Sequence, residues 1–187
     1  MSKNIIFSIL LIFLSIFITI FFIEILLRIN NQGPWGQLNI ERNDPIFNKP
    51  HKTLGWVPKE GSYKFQPFSE EGNKFEINIL KDGSRKVTSK QINTNDDLIF
   101  LGGSITLGWG VNDNQTFASK LQDNISNYRV KNFSVGGYGT YQSFLRLEEI
   151  LSKSNDIKVV VAIYVPHHSL RNIGDEFWLR TLKNLKT

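Results

Sequence analysis

Apolar residues divide the chain into one long apolar run and a later region where short apolar runs alternate with amphipathic stretches. From Ile5 to Ile23 no residue is charged, and Ile, Leu and Phe dominate. At about 1.5 Å per residue, this run is close to the roughly 30 Å thickness of a bilayer's hydrocarbon core. The pattern predicts a transmembrane helix. The residues from Glu24 to Arg28 offer no small-residue cleavage site, which favours an uncleaved anchor over a signal peptide.

The region after Asp97 has the pattern of an α/β protein. Three apolar runs predict buried strands, and two amphipathic stretches between them predict helices. The strands recur about every thirty residues, the spacing of β-α-β units with parallel strands and helices on both faces of the sheet. The predicted strands are Leu98 to Leu101, Val130 to Val135 and Ile157 to Val165, and the predicted helices are Thr116 to Ile125, Tyr141 to Leu151 and, after the third strand, Glu176 to Leu185.

The residues between these two regions carry weaker signals. From Asn30 to Lys52 the chain is rich in Asn, Pro and Gly, which predicts a juxtamembrane linker. The stretch from Leu54 to Phe65 mixes aromatic and turn residues and predicts an irregular cap, whereas Phe75 to Ile79 alternates like a short strand. The predicted organisation is therefore an anchor over residues 1–29, a linker and cap over 30–95, and an α/β domain over 96–187.

Candidate chemistry begins where the first buried strand ends in Gly102-Gly103-Ser104. Glycines let the chain turn sharply, so the Ser104 hydroxyl is expected to stand clear of the sheet, near N–H groups that can bind a developing oxyanion. The alternative is a glycine-rich turn that only joins a strand to a helix. A phosphate-binding loop is excluded, because Trp109-Gly110 stands where that motif requires Lys and then Ser or Thr.

Parallel strands place the loops at their carboxyl ends along one edge of a sheet, where α/β proteins bind ligands. The three loops in question are residues 102–110, 136–140 and 166–172. We therefore expect Ser104, the glycine-rich turn at 136–139 and the pair His167-His168 to converge in one crevice. A polar loop beside the sheet is the alternative for the two histidines. Arg171, in the third loop, has either an anionic substrate group or a surface ion pair as its expected partner.

The segments Gly102 to Gly108 and Asn132 to Gln142 resemble the first two sequence blocks of the SGNH or GDSL hydrolases. The resemblance implies a flavodoxin-like three-layer α/β/α fold with a parallel sheet. It further implies Ser104 as the nucleophile, with the backbone N–H groups of Ser104 and Gly137 in the oxyanion hole. Gly103 stands where the family usually has Asp. The residues around Trp56 and from 78 to 85 are similar to the lead-in of membrane-anchored bacterial members.

The third block departs from the family pattern. Where the family usually carries Asn-Asp, with the Asn side chain completing the oxyanion hole, this chain has Pro166 to Asn172. Either His168 or Asn172 is then the side-chain donor, with a slight preference for His168. The family's general base lies in an Asp-x-x-His motif, and the chain contains no such motif. We therefore expect an SGNH domain incomplete at its C-terminus, the N-terminal part of a longer hydrolase.

The resemblance implies a membrane-anchored serine hydrolase acting on ester bonds, either an esterase or lipase-like enzyme or a carbohydrate deacetylase. Its expected partners are a small-molecule or glycan ester and the membrane that holds its single-pass anchor. The alternatives are a non-catalytic, truncated SGNH domain that binds an acylated glycan or a partner protein, and a polysaccharide O-acyltransferase. The resemblance places the soluble domain outside the cytoplasm, although the charges flanking the span do not decide its orientation.

Composition narrows the chemistry further. The chain has no cysteine, which excludes disulfides, a thiol nucleophile and cysteine-based metal sites. The resemblance implies no metal or organic cofactor. The net charge of +5 comes from scattered cations without interleaved aromatic residues, so no nucleic-acid partner is expected. A solvated loop face is predicted for the loose basic cluster of Lys81, Arg85, Lys86 and Lys90.

Overall fold

The computed structural model describes residues 3–30, 44–66, 72–88, 92–176, 178, 179 and 182. The chain forms two compact units, Met1–Arg42 and Asn43–Thr187. The described part of the first unit is a helix and the residue that follows it. The second unit holds the strands and shorter helices.

The helix of the first unit, α1, spans Lys3–Ile29. Its most apolar 18-residue window has a mean hydropathy of 3.0, and none of that window is buried. Near its end Arg28 and Glu24 form an ion pair of 2.7 Å, four residues apart. By length and composition α1 can cross a membrane, which agrees with the helix predicted from the apolar run.

The described part of the second unit contains short strands and short helices. The strands are β1 Asn48–His51, β2 Gly55–Pro58, β3 Gly61–Phe65, β4 Phe75–Ile79, β5 Asp97–Leu101, β6 Arg129–Asn132 and β7 Ile157–Ala162. The helices are α2 Ser104–Leu107, α3 Phe117–Asn124, α4 Thr140–Leu151 and α5 His167–Asn172, with a one-turn 3₁₀ helix at Asp113–Gln115.

A parallel three-stranded sheet forms the centre of the second unit. Strand β5 lies between β6 and β7 and pairs in parallel with both. Successive strand residues face opposite sides of a sheet. Leu98 and Phe100 accordingly pack with residues of α3, while Ile99 and Leu101 pack with residues of α4. Helices therefore cover both faces of β5, and the predicted α/β class with a parallel sheet is confirmed.

The ends of the predicted elements shift by a few residues. Strand β6 ends at Asn132 rather than Val135, although the Val135 N–H still donates to the carbonyl of Gly102 at 3.0 Å. Helix α3 begins at Phe117 because Thr116 is its N-cap, whose hydroxyl oxygen accepts a hydrogen bond from the Ser119 N–H at 3.2 Å. Of the last predicted helix, residues 176, 178, 179 and 182 are described and helical.

The irregular cap predicted over Leu54 to Phe65 is wrong. Strands β1 and β2 form an antiparallel pair, and β3 pairs antiparallel with β4. The aromatic residues of this region supply the packing, since Phe47, Phe65 and Phe75 are buried together against Trp109. Residues 31–43 of the linker predicted over 30–52 lie outside the described residues, and its last five residues belong to β1 and the turn after it.

Candidate active site

The loops that follow the three parallel strands meet at Gly103, directly before Ser104. A Cβ atom on Gly103 would lie 2.9 Å from Nε2 of His168 and 3.2 Å from Nη1 of Arg171, both in the loop region after β7. It would also lie 3.3 Å from the carbonyl oxygen of Tyr138, in the turn after β6. Gly103 is thus surrounded by side chains and backbone, which approach it closely because it has no side chain.

Ser104 is the first residue of α2 and is partly exposed. The N–H groups in the first turn of a helix have no intrahelical acceptor, so the Ser104 N–H is open to an external one. The Ser104 carbonyl is used differently, because it accepts hydrogen bonds from the N–H groups of Gly108 and Trp109 at 3.1 and 3.0 Å. Within the described residues, no side chain is hydrogen-bonded to the Ser104 hydroxyl.

Arg85 stabilises the end of the short helix that begins with Ser104 and the turn after it. This side chain is only 1% exposed, and its guanidinium donates to the carbonyl oxygens of Leu107 at 2.9 Å and Gly108 at 2.7 Å. It also donates to the carbonyl of Val111 and forms a 2.8 Å ion pair with Asp113. Burial lowers the pKa of Arg85, and Asp113 opposes that shift. The solvated face predicted for Arg85 is therefore wrong.

Asn132, at the end of β6, adds to this support. Its side-chain amide donates to the carbonyl of Thr106 at 2.9 Å, and its side-chain oxygen accepts from the Ser134 N–H at 3.1 Å. The last carbonyl groups of a helix carry partial negative charge and need donors. Arg85 and Asn132 supply them, so two buried side chains fix the short helix that begins with Ser104.

Gly137 lies in the turn after β6 with φ at +86°, a conformation that glycine adopts readily. A Cβ there would lie 2.9 Å from a ring carbon of Trp56 and 3.2 Å from one of Trp178. The indole N–H of Trp56 donates to the Gly136 carbonyl at 2.9 Å, and the Tyr138 hydroxyl donates to the Trp56 carbonyl. The β1–β2 pair is thus docked against this turn, and two indole rings flank Gly137.

His168 is 2% exposed, and neither of its ring nitrogens has a hydrogen-bond partner in the described part of the chain. Burial, followed by the charges of His167 and Arg171, holds its pKa below the usual range. The ring is therefore neutral at pH 7, with one N–H donor and one acceptor nitrogen. An unpaired buried polar group is costly, so an imidazole left in this state beside Gly103 is a good candidate for a site residue.

Asn172 occupies a different place. Its side-chain oxygen accepts a hydrogen bond from the Tyr141 N–H at 3.1 Å and would clash with a Cβ on Gly139. It therefore caps the amino end of α4, where N–H groups need acceptors. Of the two side-chain donors predicted from the sequence, His168 is the one that lies at Gly103. Which of them acts on a substrate stays a prediction.

Two features of this region are not predicted by the sequence. The supporting role of Arg85 depends on carbonyl groups 22 to 26 residues away in sequence, which no local pattern indicates. The second feature is Trp178, whose ring lies beside both the Gly137 position and the Arg171 guanidinium. An aromatic residue six positions after a polar segment is a weak signal in the sequence, and its contacts become visible only in the folded chain.

Comparisons with known proteins leave the family undecided. Neither a protein-family model nor a curated protein matches the chain. Within the described residues, no group of three His, Cys, Asp or Glu side chains is arranged to hold a metal ion. The resemblance to SGNH hydrolases therefore rests on the motif residues alone.

The buried His168 should make stability depend on pH. Because its folded pKa lies below the unfolded value of about 6.5, the unfolded chain binds more protons as the pH falls through that value. Its contribution is complete above about pH 6.5 and is lost as the pH falls from there towards the lower pKa of the folded state, with a slope of at most about 1.4 kcal/mol per pH unit. We expect urea unfolding, followed by tryptophan fluorescence across this range, to show lower stability at lower pH.

His168→Gln removes the titrating group and should flatten this slope, whereas His167→Gln, at the exposed neighbouring position, should change it less. An identical slope in wild type and His168→Gln would show that His168 is not the group responsible.

Proposed function

We propose that the chain is a membrane-anchored serine hydrolase of the SGNH type that cleaves ester bonds. The observation that carries the proposal is the meeting of three strand-end loops at Gly103. This arrangement groups a partly exposed serine, a glycine turn and a buried histidine without a hydrogen-bond partner. Nucleophile, backbone donors and a polar side chain at one edge of a parallel sheet are the components that acyl transfer requires.

In this mechanism the Ser104 oxygen attacks the ester carbonyl and forms a tetrahedral intermediate. The N–H groups of Ser104 and Gly137 stabilise its oxyanion, and neutral His168 adds a third donor through its N–H. The Ser104 proton passes to solvent water as the bond to the carbonyl carbon forms. Collapse of the intermediate breaks the ester C–O bond, and the alcohol leaves after taking up a proton from water. A second water molecule then hydrolyses the acyl group on Ser104, which releases the carboxylic acid and restores the serine hydroxyl. Loss of one oxyanion donor typically costs about 3 kcal/mol of transition-state stabilisation, and we expect the His168 N–H to contribute about this much.

Deprotonation of the serine limits this chemistry. Serine is a weak nucleophile unless a base takes its proton, and among the described residues none is hydrogen-bonded to the Ser104 hydroxyl. Hydrolases that lack a triad member retain about 10³ to 10⁴-fold acceleration over water. We expect the rate of this chain to lie in that range.

The substrate proposed is an ester of a glycan or of a small molecule. Trp56 and Trp178 flank Gly137 and provide flat apolar faces against which a sugar ring can pack. A carbohydrate deacetylase outside the cytoplasm, held by α1 as a single-pass anchor, fits these features. An O-acyltransferase would use the same residues with a sugar hydroxyl in place of water.

A non-catalytic module that binds an acylated glycan is the second candidate. It is favoured because, among the described residues, no side chain that could act as a base is hydrogen-bonded to the Ser104 hydroxyl. In that case the oxyanion donors would bind the ester carbonyl without turnover.

Hydrolysis of 4-nitrophenyl acetate by the full chain, purified in a neutral polyoxyethylene detergent, distinguishes the candidates. The hydrolase proposal requires nitrophenol release faster than in the same detergent buffer. A folded chain that binds an acetylated glycan but does not accelerate release supports the binding module instead. Addition of a sugar acceptor tests transfer, since an acyltransferase would form the acetylated sugar.

A further inference from the structure

We propose that Arg171 forms a subsite for an anionic group, a carboxylate or a phosphate, on the ligand that occupies the Ser104 site. The choice of site rests on the proposed function, but binding of the anion does not depend on turnover. Arg171 lies next to the residue that precedes Ser104. Nη1 of Arg171 lies 3.2 Å from where a Cβ on Gly103 would stand, so the guanidinium adjoins the residue before the nucleophile.

Arg171 differs from the other described arginines in lacking a counter-charge. Arg85, Arg129 and Arg146 each lie within 4 Å of a carboxylate, and so does Arg28 in the first unit. Within the described residues Arg171 has no such partner. The surface ion pair that the sequence left open as its alternative is therefore not found there.

The guanidinium is half-buried and held in place without being saturated. Nη1 donates to the Tyr138 carbonyl at 3.1 Å, and Cζ lies 4.7 Å from the centre of a Trp178 ring. A guanidinium carries five N–H donors, so most of its donors remain for a ligand. Burial lowers the pKa of Arg171, and no carboxylate opposes that shift. A ligand anion would supply the missing charge.

Gly103 lies beside this guanidinium and brings no side chain to it. A side chain at this position would meet Arg171 directly, since a Cβ would lie 3.2 Å from Nη1. Glycine therefore supplies no carboxylate there and leaves the positive charge of Arg171 available. A guanidinium recognises carboxylate and phosphate in a planar, two-point geometry, which a substrate bearing either group would satisfy.

Equilibrium binding to the Ser104→Ala chain tests this subsite without requiring catalysis. The probes are 4-acetoxybenzoate, 4-acetoxyphenyl phosphate and the neutral 4-acetoxybenzamide, with affinity measured by tryptophan fluorescence in neutral detergent. Because hydrogen bonds to charged groups are the stronger ones, we expect at least one anionic probe to bind about ten-fold or more tightly than the amide. The two anionic probes decide between carboxylate and phosphate.

In Ser104→Ala with Arg171→Gln the preference should disappear, and Arg171→Lys, which keeps the charge without the planar fork, should retain part of it. Lys158→Gln, at an exposed position on β7, is the matched control and should leave it unchanged. Added salt should weaken the preference for the anionic probe in the Ser104→Ala chain, and this test does not depend on whether the Arg171 variants fold. Equal affinities for all three probes, or a preference that survives Arg171→Gln, would overturn the proposal. Absence of ester hydrolysis alone would overturn only the proposed function.

Discussion

Replacing Arg85 with alanine is expected to lower the free energy of unfolding of the second unit by about 3 to 5 kcal/mol. The guanidinium is buried and donates to three carbonyl groups between Leu107 and Val111. Its removal takes a charged donor from each of these carbonyl groups and leaves the Asp113 carboxylate without its cation, although the Asn78 amide groups still donate to that carboxylate. A buried pair that loses one partner is penalised in this range, because the remaining charge stays in a poorly solvated place.

Urea unfolding of the full chain in detergent, followed by tryptophan fluorescence, measures this loss. Trp109 packs beside Phe65 and Phe75 in the second unit, so its emission reports on the relevant core. Arg85→Lys should lose less, since it keeps the charge but offers a single ammonium in place of the fork. Lys120→Ala, at an exposed position on α3, should stay within about 0.5 kcal/mol of wild type. An Arg85→Ala chain as stable as this control would refute the supporting role.

Ser104→Ala is expected to reduce the hydrolysis of 4-nitrophenyl acetate by about ten-fold, to a rate that stays above that in detergent buffer. The loss is limited because a serine without an aligned base contributes little beyond the acceleration that the oxyanion donors and substrate binding supply, and the variant keeps both. Initial rates at several substrate concentrations measure the loss in kcat/KM.

Ser134→Ala is the matched control for this variant. Ser134 lies in the loop after β6, is 2% exposed, and its hydroxyl has no partner in the described residues. Its replacement should leave the rate within about two-fold, since removing an unpaired hydroxyl disturbs little. Equal losses in the two variants would mean that the rate does not depend on Ser104.

The sequence predicts the α/β part of this molecule well because its signals are local. A fully apolar strand such as Leu98 to Leu101, followed by Gly-Gly-Ser, indicates a buried strand and a turn without knowledge of the rest of the chain. Strand order then brings Ser104 and His168 towards one edge, as found. The exact ends of β6 and α3 depend on caps and on single hydrogen bonds, and these shift them by a few residues.

Other features depend on contacts that no local pattern encodes. Strands β1 to β3 are short and rich in turn residues, so their pairing follows from aromatic packing across the chain rather than from alternation. Arg85 has the same sequence context as an exposed cation, and its burial follows from distant carbonyl groups. The choice between His168 and Asn172 required knowing which one faces Gly103, because both lie on the same short helix.

Covalent labelling of the full chain with a fluorophosphonate tests the central claim most directly, that Ser104 is a reactive nucleophile beside oxyanion donors. The expected result is one adduct per chain, carried by Ser104 in the tryptic peptide of residues 91–120 and located there by fragmentation mass spectrometry. It should be lost in Ser104→Ala and kept in Ser134→Ala. A folded chain without an adduct, or with the adduct on another residue, would contradict the claim.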